Sequence, residues 1–206
     1  MKIIEKKILE FQENSFFSPI RNKTDYVKVL MLGARQLLLD IDNEDASSSK
    51  MRLVIDKMSR LFFYKEKKYF SISFPFTVIY NEDQNIEINS YSGKKIDNKS
   101  ISAIISIVDS PEFKLNPSII DFYIEPNNIV DSNGLFLLEE IFMFEPSYVR
   151  YDNDPDNENG NLHPLNHIDL NYSQYSTFKI GLNQNISEIY FENLHNIKTD
   201  CSFLTD

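Results

Sequence analysis

The sequence predicts an α+β fold, a mixed or largely antiparallel sheet packed by several helices in one domain spanning 1–206. Three observations lead there. Apolar residues recur at helical spacing over 25–42 and 49–64. The period switches to two at Phe70, Ile72, Phe74, Phe76 and Val78. Three short segments, 147–152, 167–172 and 177–182, then read as strands near the end of the chain. On this pattern a helical N-terminal part covers about 1–66 and a sheet-rich part about 67–195.

The elements follow in order. Residues 3–12 (IIEKKILEFQ) form a short helix, and Asn14 to Lys23, with Pro19, a loop. Thr24 caps the next helix, with Asp25 in its first turn. Tyr26, Val29, Leu30, Gly33, Leu37 and Ile41 make its apolar stripe. Met51, Val54, Ile55, Met58, Leu61 and Phe62 make the stripe of a second helix, 49–64. A β-hairpin covers 69–91, turning over Asn81 to Asn85, with Pro75 marking an edge or a bulge. Ile101, Ile104, Ile105 and Val108 return to helical spacing, and Pro111 ends that helix. Ile119 to Ile124 fits strand or helix. Asp131 to Gly134 is a turn and cap before a helix over 135–145. Asn185 and Glu188 suggest a capping box for a last helix, on which His195 is a surface or capping residue, and the tail 197–206 frays.

Composition narrows the class. A chain of 206 residues with 42% hydrophobic and 25% charged residues is ordinary for a globular protein. Only 5 glycines argue against Gly-rich phosphate loops, and no nucleotide-loop, nucleophile-elbow or paired-cysteine zinc motif occurs. The lone Cys201 makes no internal disulfide and has no cationic partner motif around it. The charged N-terminus is no signal peptide, and no window of 18 apolar residues exists, so the expectation is a cytoplasmic protein without a membrane span.

Charge is uneven. Residues 1–68 carry a net +4 and residues 69–206 a net −14. The acidic part disfavours bulk nucleic-acid binding, although a local basic face or a metal inverts the field. Nucleic acid therefore stays open as a partner. The basic N-terminal helices are the expected surface for a protein partner.

The chemistry concentrates in 147–182. If 167–172 is a strand, His167, Asp169 and Asn171 share one face and Ile168, Leu170 and Tyr172 the other. In 147–152, Tyr148, Arg150 and Asp152 share a face. Pairing the two strands would bring Arg150 and Asp152 to His167 and Asp169. Pro164 keeps His163 extended and able to fold beside them. The resulting Tyr148, Arg150, Asp152, His163, His167 and Asp169 cluster suits acid/base work on a phosphodiester or one metal ion. Three alternatives stay open: a salt-bridged sheet face, a catalytic or substrate site, and a metal site. No organic cofactor is expected, and a divalent metal is the one candidate. Asp152, Asp154 and Asp156 match the start of a calcium loop, but Asn157 and His163 stand where Gly and Glu are needed.

The run Tyr148-Val-Arg-Tyr-Asp152, followed by His163-Pro-Leu-Asn-His167-Ile-Asp169, resembles a bacterial family of unknown function. Its members share an Arg-x-Asp strand, then His-Pro-x-x-His, and the likeness covers about 135–195. More distantly, the run looks like small toxin–antitoxin proteins. Asp169 departs from the pattern, since some relatives carry His there. The resemblance implies a bacterial defence- or toxin-type protein with an anti-phage role. As a nuclease, it would use His163 or His167 as general acid/base, Arg150 on phosphate and Asp169 to orient a histidine. As a non-catalytic interaction module of a defence or toxin–antitoxin complex, it would use the cluster only to stiffen the sheet.

Overall fold

The computed structural model describes residues 1–39, 48–80, 85–124, 132–171 and 177–203. Along the chain run β1 (Lys2–Lys7), α1 (Glu10–Phe16), α2 (Lys23–Leu38), β2 (Lys50–Ile55), β3 (Ser59–Lys65), β4 (Lys68–Ser73), β5 (Thr77–Tyr80), β6 (Ile86–Asn89) and β7 (Lys95–Ile96). Then come α3 (Asn98–Asp109), α4 (Pro111–Leu115), α5 (Ile119–Ile124), α6 (Ser132–Phe142), β8 (Val149–Asn153), β9 (Asn166–Leu170), β10 (Phe178–Leu182) and α7 (Glu188–Asn193). The fold is α+β, and its strands pair antiparallel.

Two compact units divide the chain. The first comprises Met1–Phe17, Asn43–Phe74 and Ser147–Asp206. Its sheet has the order β1-β2-β3-β4-β8-β9-β10. The pairing registers sort its side chains into two faces. Met51, Leu53, Leu61, Phe63, Phe70 and Ile72 share the front face, where Phe16 of α1 lies 5.6 Å from Phe63, ring centre to ring centre. Val54, Phe62, Tyr64, Tyr151 and Ile168 share the back face and pack with Phe191 of α7.

The second unit comprises Ser18–Asp42 and Pro75–Pro146. Here β5-β6-β7 form a small sheet whose β6 lies against α2, and α2, α3 and α6 pack on one another. Asp97 caps α3 by accepting from the Ser100 N–H, and Ile101, Ile104, Ile107 and Val108 are its buried stripe. Gly134 of α6 lies so close to α3 that a Cβ there would stand 2.6 Å from Ala103 Cβ.

Several sequence expectations need correction. The N-terminal part is not helical over 1–66: residues 2–7 are a strand, and 49–64 is a pair of strands, β2 and β3, around a tight turn. The reason is burial on both sides. Leu53, Val54, Leu61, Phe62 and Phe63 are all buried, so period-two contrast vanishes and a helical stripe appears by coincidence. Dense β-branched and aromatic residues were the usable signal. The segment 69–91 is not one hairpin. Pro75 breaks it, β4 joins the large sheet, and β5 pairs with β6. Asn22, rather than Thr24, caps α2. Ser187, rather than Asn185, caps α7. Gly134 lies inside α6, which ends at Phe142. Residues 119–124 are helical. Lys198 ties the tail down through Asp56 at 2.5 Å. The expected strand residue Tyr172, the turn at 81–84, Ile41 and Asp131 lie outside the described residues.

Candidate functional site

Strands β8 and β9 bring the expected residues together. Arg150 stands opposite Asp169 and Asp152 opposite His167. The ladder extends to both sides, with Lys68 opposite Asp152 and Phe70 opposite Arg150 on β4. On β10, Lys179 is opposite Asp169 and Gly181 opposite His167. All eight positions share the front face, because strand side chains alternate. One cross-strand row therefore reads Lys68, Asp152, His167, Gly181, and the next Phe70, Arg150, Asp169, Lys179.

Arg150 is clamped rather than free. Its Nη2 donates to Asp169 Oδ2 at 2.5 Å, and its Nε lies 2.6 Å from Asp152 Oδ2. The Nε contact is off the N–H direction and makes no hydrogen bond. Burial works against the guanidinium charge, but Tyr148, Asp152 and Asp169 around it outweigh that and raise its pKa. Arg150, expected to stabilise phosphate charge, is thus already engaged by two carboxylates.

His167 is 1% exposed. Its Nδ1 lies 3.0 Å from the Pro164 carbonyl oxygen, which can only accept, so Nδ1 carries the hydrogen. That leaves Nε2 turned to the carboxylates, 3.9 Å from Asp152 Oδ2 and 4.0 Å from Asp169 Oδ2. Both distances are too long for a hydrogen bond. The His163 ring crosses the His167 ring edge-on at 4.6 Å between centres. Pro164 reaches this position because β10 carries glycine there: a Cβ on Gly181 would meet Pro164 Cγ at 3.0 Å.

Tyr148 precedes β8 and packs its ring 6.0 Å from Phe70. Burial pushes its phenol up to about 12, although Arg150 beside it works the other way. Tyr148 is therefore a neutral wall of the cluster near pH 7. Asp154 accepts from Asn157 in the exposed loop and does not join Asp152.

The cluster has a specific deficit. Among the described residues, the buried side-chain polar atoms without a hydrogen-bond partner are Arg150 Nε, Asp152 Oδ1, His163 Nδ1 and Asp169 Oδ1. All four belong here. Asp152 Oδ1 has only a distant ion pair, to Lys68 Nζ at 3.7 Å. Asp152, His167 and Asp169 also offer one donor atom each within 4.8 Å of one another.

A second buried polar network went unnoticed in the sequence. Arg60 Nη2 donates to Ser71 Oγ at 2.7 Å and to the Ser147 carbonyl at 2.5 Å. Ser71 Oγ lies 3.0 Å from His195 Nε2, and His195 Nδ1 is 2.8 Å from the Phe191 carbonyl. Of the two expected places for His195, surface or cap, the structure shows the cap: its Nδ1 holds a last-turn carbonyl of α7 while its ring packs against Phe62 and Phe191. Burial pushes its imidazole down to about 4, with Arg60 adding to the effect. Ser71 is fully buried, and none of the buried unpartnered atoms among the described residues falls in this network.

No described helix is long and apolar enough to cross a membrane. Compared with protein-family models, with curated proteins and with solved structures, the chain matches none.

Proposed function

We propose that the Arg150–Asp152–His167–Asp169 cluster is the working site of a phosphodiester-cleaving enzyme, a nuclease or phosphodiesterase of the defence or toxin type that the resemblance implies. One observation carries this: of the four buried side-chain atoms without a hydrogen-bond partner among the described residues, three belong to Arg150, Asp152 and Asp169, and the fourth to His163, whose ring lies against His167. A finished structural network satisfies its members, because each buried orphan costs about 1–3 kcal/mol. Such a deficit, retained in one place, is expected where a substrate, water or ion supplies the missing partners. His167 suits acid/base work because Pro164 fixes its tautomer and presents Nε2. Lys68 and Lys179 flank the rows and supply positive charge for an anionic substrate, in place of the neutralised Arg150.

The test is cleavage of bis(p-nitrophenyl) phosphate and of short single-stranded RNA and DNA by wild type and by His167→Ala. Wild type should turn over, and His167→Ala should lose at least about 100-fold in rate while its circular dichroism is retained. No cleavage of any of the three substrates by folded wild type overturns the proposal. So does a His167→Ala rate equal to wild type.

Burial favours a second reading. Asp152 and Asp169 are 5% exposed, which suits a non-catalytic interaction module whose cluster stiffens the sheet. Under that reading cleavage is absent, and His167→Ala only lowers the unfolding midpoint.

A further inference from the structure

We infer that Asp152, His167 and Asp169 bind one first-row divalent cation, Mn²⁺ or Zn²⁺ in preference to Mg²⁺. This rests on the reading of the cluster as a working site and names what fills it. The donor set is mixed, two carboxylates and one imidazole, and each residue is at least nine-tenths buried. Carboxylates alone would suit Mg²⁺ or Ca²⁺, whereas an imidazole nitrogen shifts preference toward Mn²⁺, Zn²⁺ and their neighbours.

Three independent features point to a ligand. First, the His167 tautomer is the one a metal needs. Nδ1–H is held by the Pro164 carbonyl at 3.0 Å, which leaves Nε2, turned toward the carboxylates, as the nitrogen available to a metal. A backbone carbonyl behind a ligating imidazole is the usual way that ring orientation and basicity are set. Second, the separations fit. A metal bonded at about 2.0–2.2 Å holds neighbouring donors about 3–4 Å apart, and Nε2 stands 3.9 and 4.0 Å from the two Oδ2 atoms. Third, Asp152 Oδ1 and Asp169 Oδ1 are buried and unpartnered. A carboxylate that rotates toward a metal satisfies such an oxygen directly.

Arg150 does not displace the ion. It takes one lone pair of Asp169 Oδ2 by hydrogen bond and makes only an ion contact with Asp152 Oδ2, and a carboxylate has about four acceptor sites. Its role is to hold the two carboxylates at the spacing a metal requires. Lys68, 3.7 Å from Asp152 Oδ1 and partly exposed, is the group that a bound cation pushes outward.

The experiment is a titration of the EDTA-dialysed full chain with MnCl₂, ZnCl₂, CoCl₂ and MgCl₂, read by thermal unfolding and, for Co²⁺, by visible absorption. At a hundredfold excess over Kd, Mn²⁺ or Zn²⁺ should raise Tm by about 5–10 °C. Co²⁺ should give ligand-field bands, and Mg²⁺ at equal concentration should shift Tm far less. Asp169→Asn and His167→Gln should abolish both signals. The wild-type titration decides alone if a variant does not fold. The inference is overturned by a wild type whose Tm ignores all four ions, or by a folded Asp169→Asn that responds like wild type. Phosphodiester cleavage that survives EDTA, without any metal response, overturns the metal site and leaves the enzyme standing. A metal response without cleavage upholds the site and removes the enzyme.

Discussion

The Pro164 carbonyl oxygen and the His167 Nδ1 lie 3.0 Å apart, so a proline three residues upstream fixes which face of the imidazole meets the acids. That contact depends on β10. Gly181 stands opposite His167, and a Cβ there would press on Pro164 Cγ at 3.0 Å. Gly181→Ala is therefore expected to lift Pro164, loosen the His167 contact and lower stability by about 1–3 kcal/mol. Urea unfolding measures the cost, and ¹⁵N shifts of the His167 ring report the contact. Unchanged ring shifts in Gly181→Ala would show that the glycine does not position the histidine.

Arg150 is the cation that makes two buried carboxylates tolerable on one sheet face. Removing it as Arg150→Leu leaves Asp152 and Asp169 on one face with Lys68 and His167, at 3.7–4.0 Å, as their remaining ionisable contacts. The expected loss is about 3–5 kcal/mol in chemical denaturation. The triple change Arg150→Leu, Asp152→Leu, Asp169→Leu should recover much of it, because it removes the charges along with their counterion. A single variant within about 0.5 kcal/mol of wild type would mean that the clamp is solvent-screened.

Gly134 separates α6 from α3. A methyl there would stand 2.6 Å from Ala103 Cβ, closer than side-chain carbons approach. Gly134→Ala improves helix propensity by about 1 kcal/mol, yet overpacking of about 1–3 kcal/mol should win. A net drop in Tm is expected, and the partner change Ala103→Gly should restore part of it. A rise in Tm for Gly134→Ala alone would contradict the close packing.

How much was legible in the sequence follows from contrast between faces. In β8 and β9 the polar and apolar residues alternate cleanly. Arg150, Asp152, His167 and Asp169 could thus be placed on one face, and their pairing anticipated, before any coordinates. β3 and the end of β2 bury both faces, so alternation disappeared there and two strands looked like one helix. The Arg60–Ser71–His195 chain was invisible for another reason. Ser71 and His195 are 124 positions apart, and only the docking of α7 on the back face makes them neighbours. Arg150 was placed correctly, but residue type does not reveal that two acids already hold it.

His195 makes the fold acid-sensitive in a defined window. Its imidazole falls from 6.5 to about 4 because burial against Phe62 and Phe191 disfavours the charge, and Arg60 opposes it further. The folded value lies below the unfolded one. Above pH 6.5 neither state is protonated and the contribution is complete. Between 6.5 and 4 the unfolded chain takes up a proton that the folded chain refuses, so stability falls as pH falls. The full window is worth at most about 3.5 kcal/mol, at about 1.4 kcal/mol per pH unit. His195→Gln can accept from Ser71 without titrating, so it should flatten the stability profile between pH 6.5 and 4 while costing little at pH 8. Urea midpoints across that range provide the measurement, and equal slopes in wild type and His195→Gln would assign the acid sensitivity to other groups.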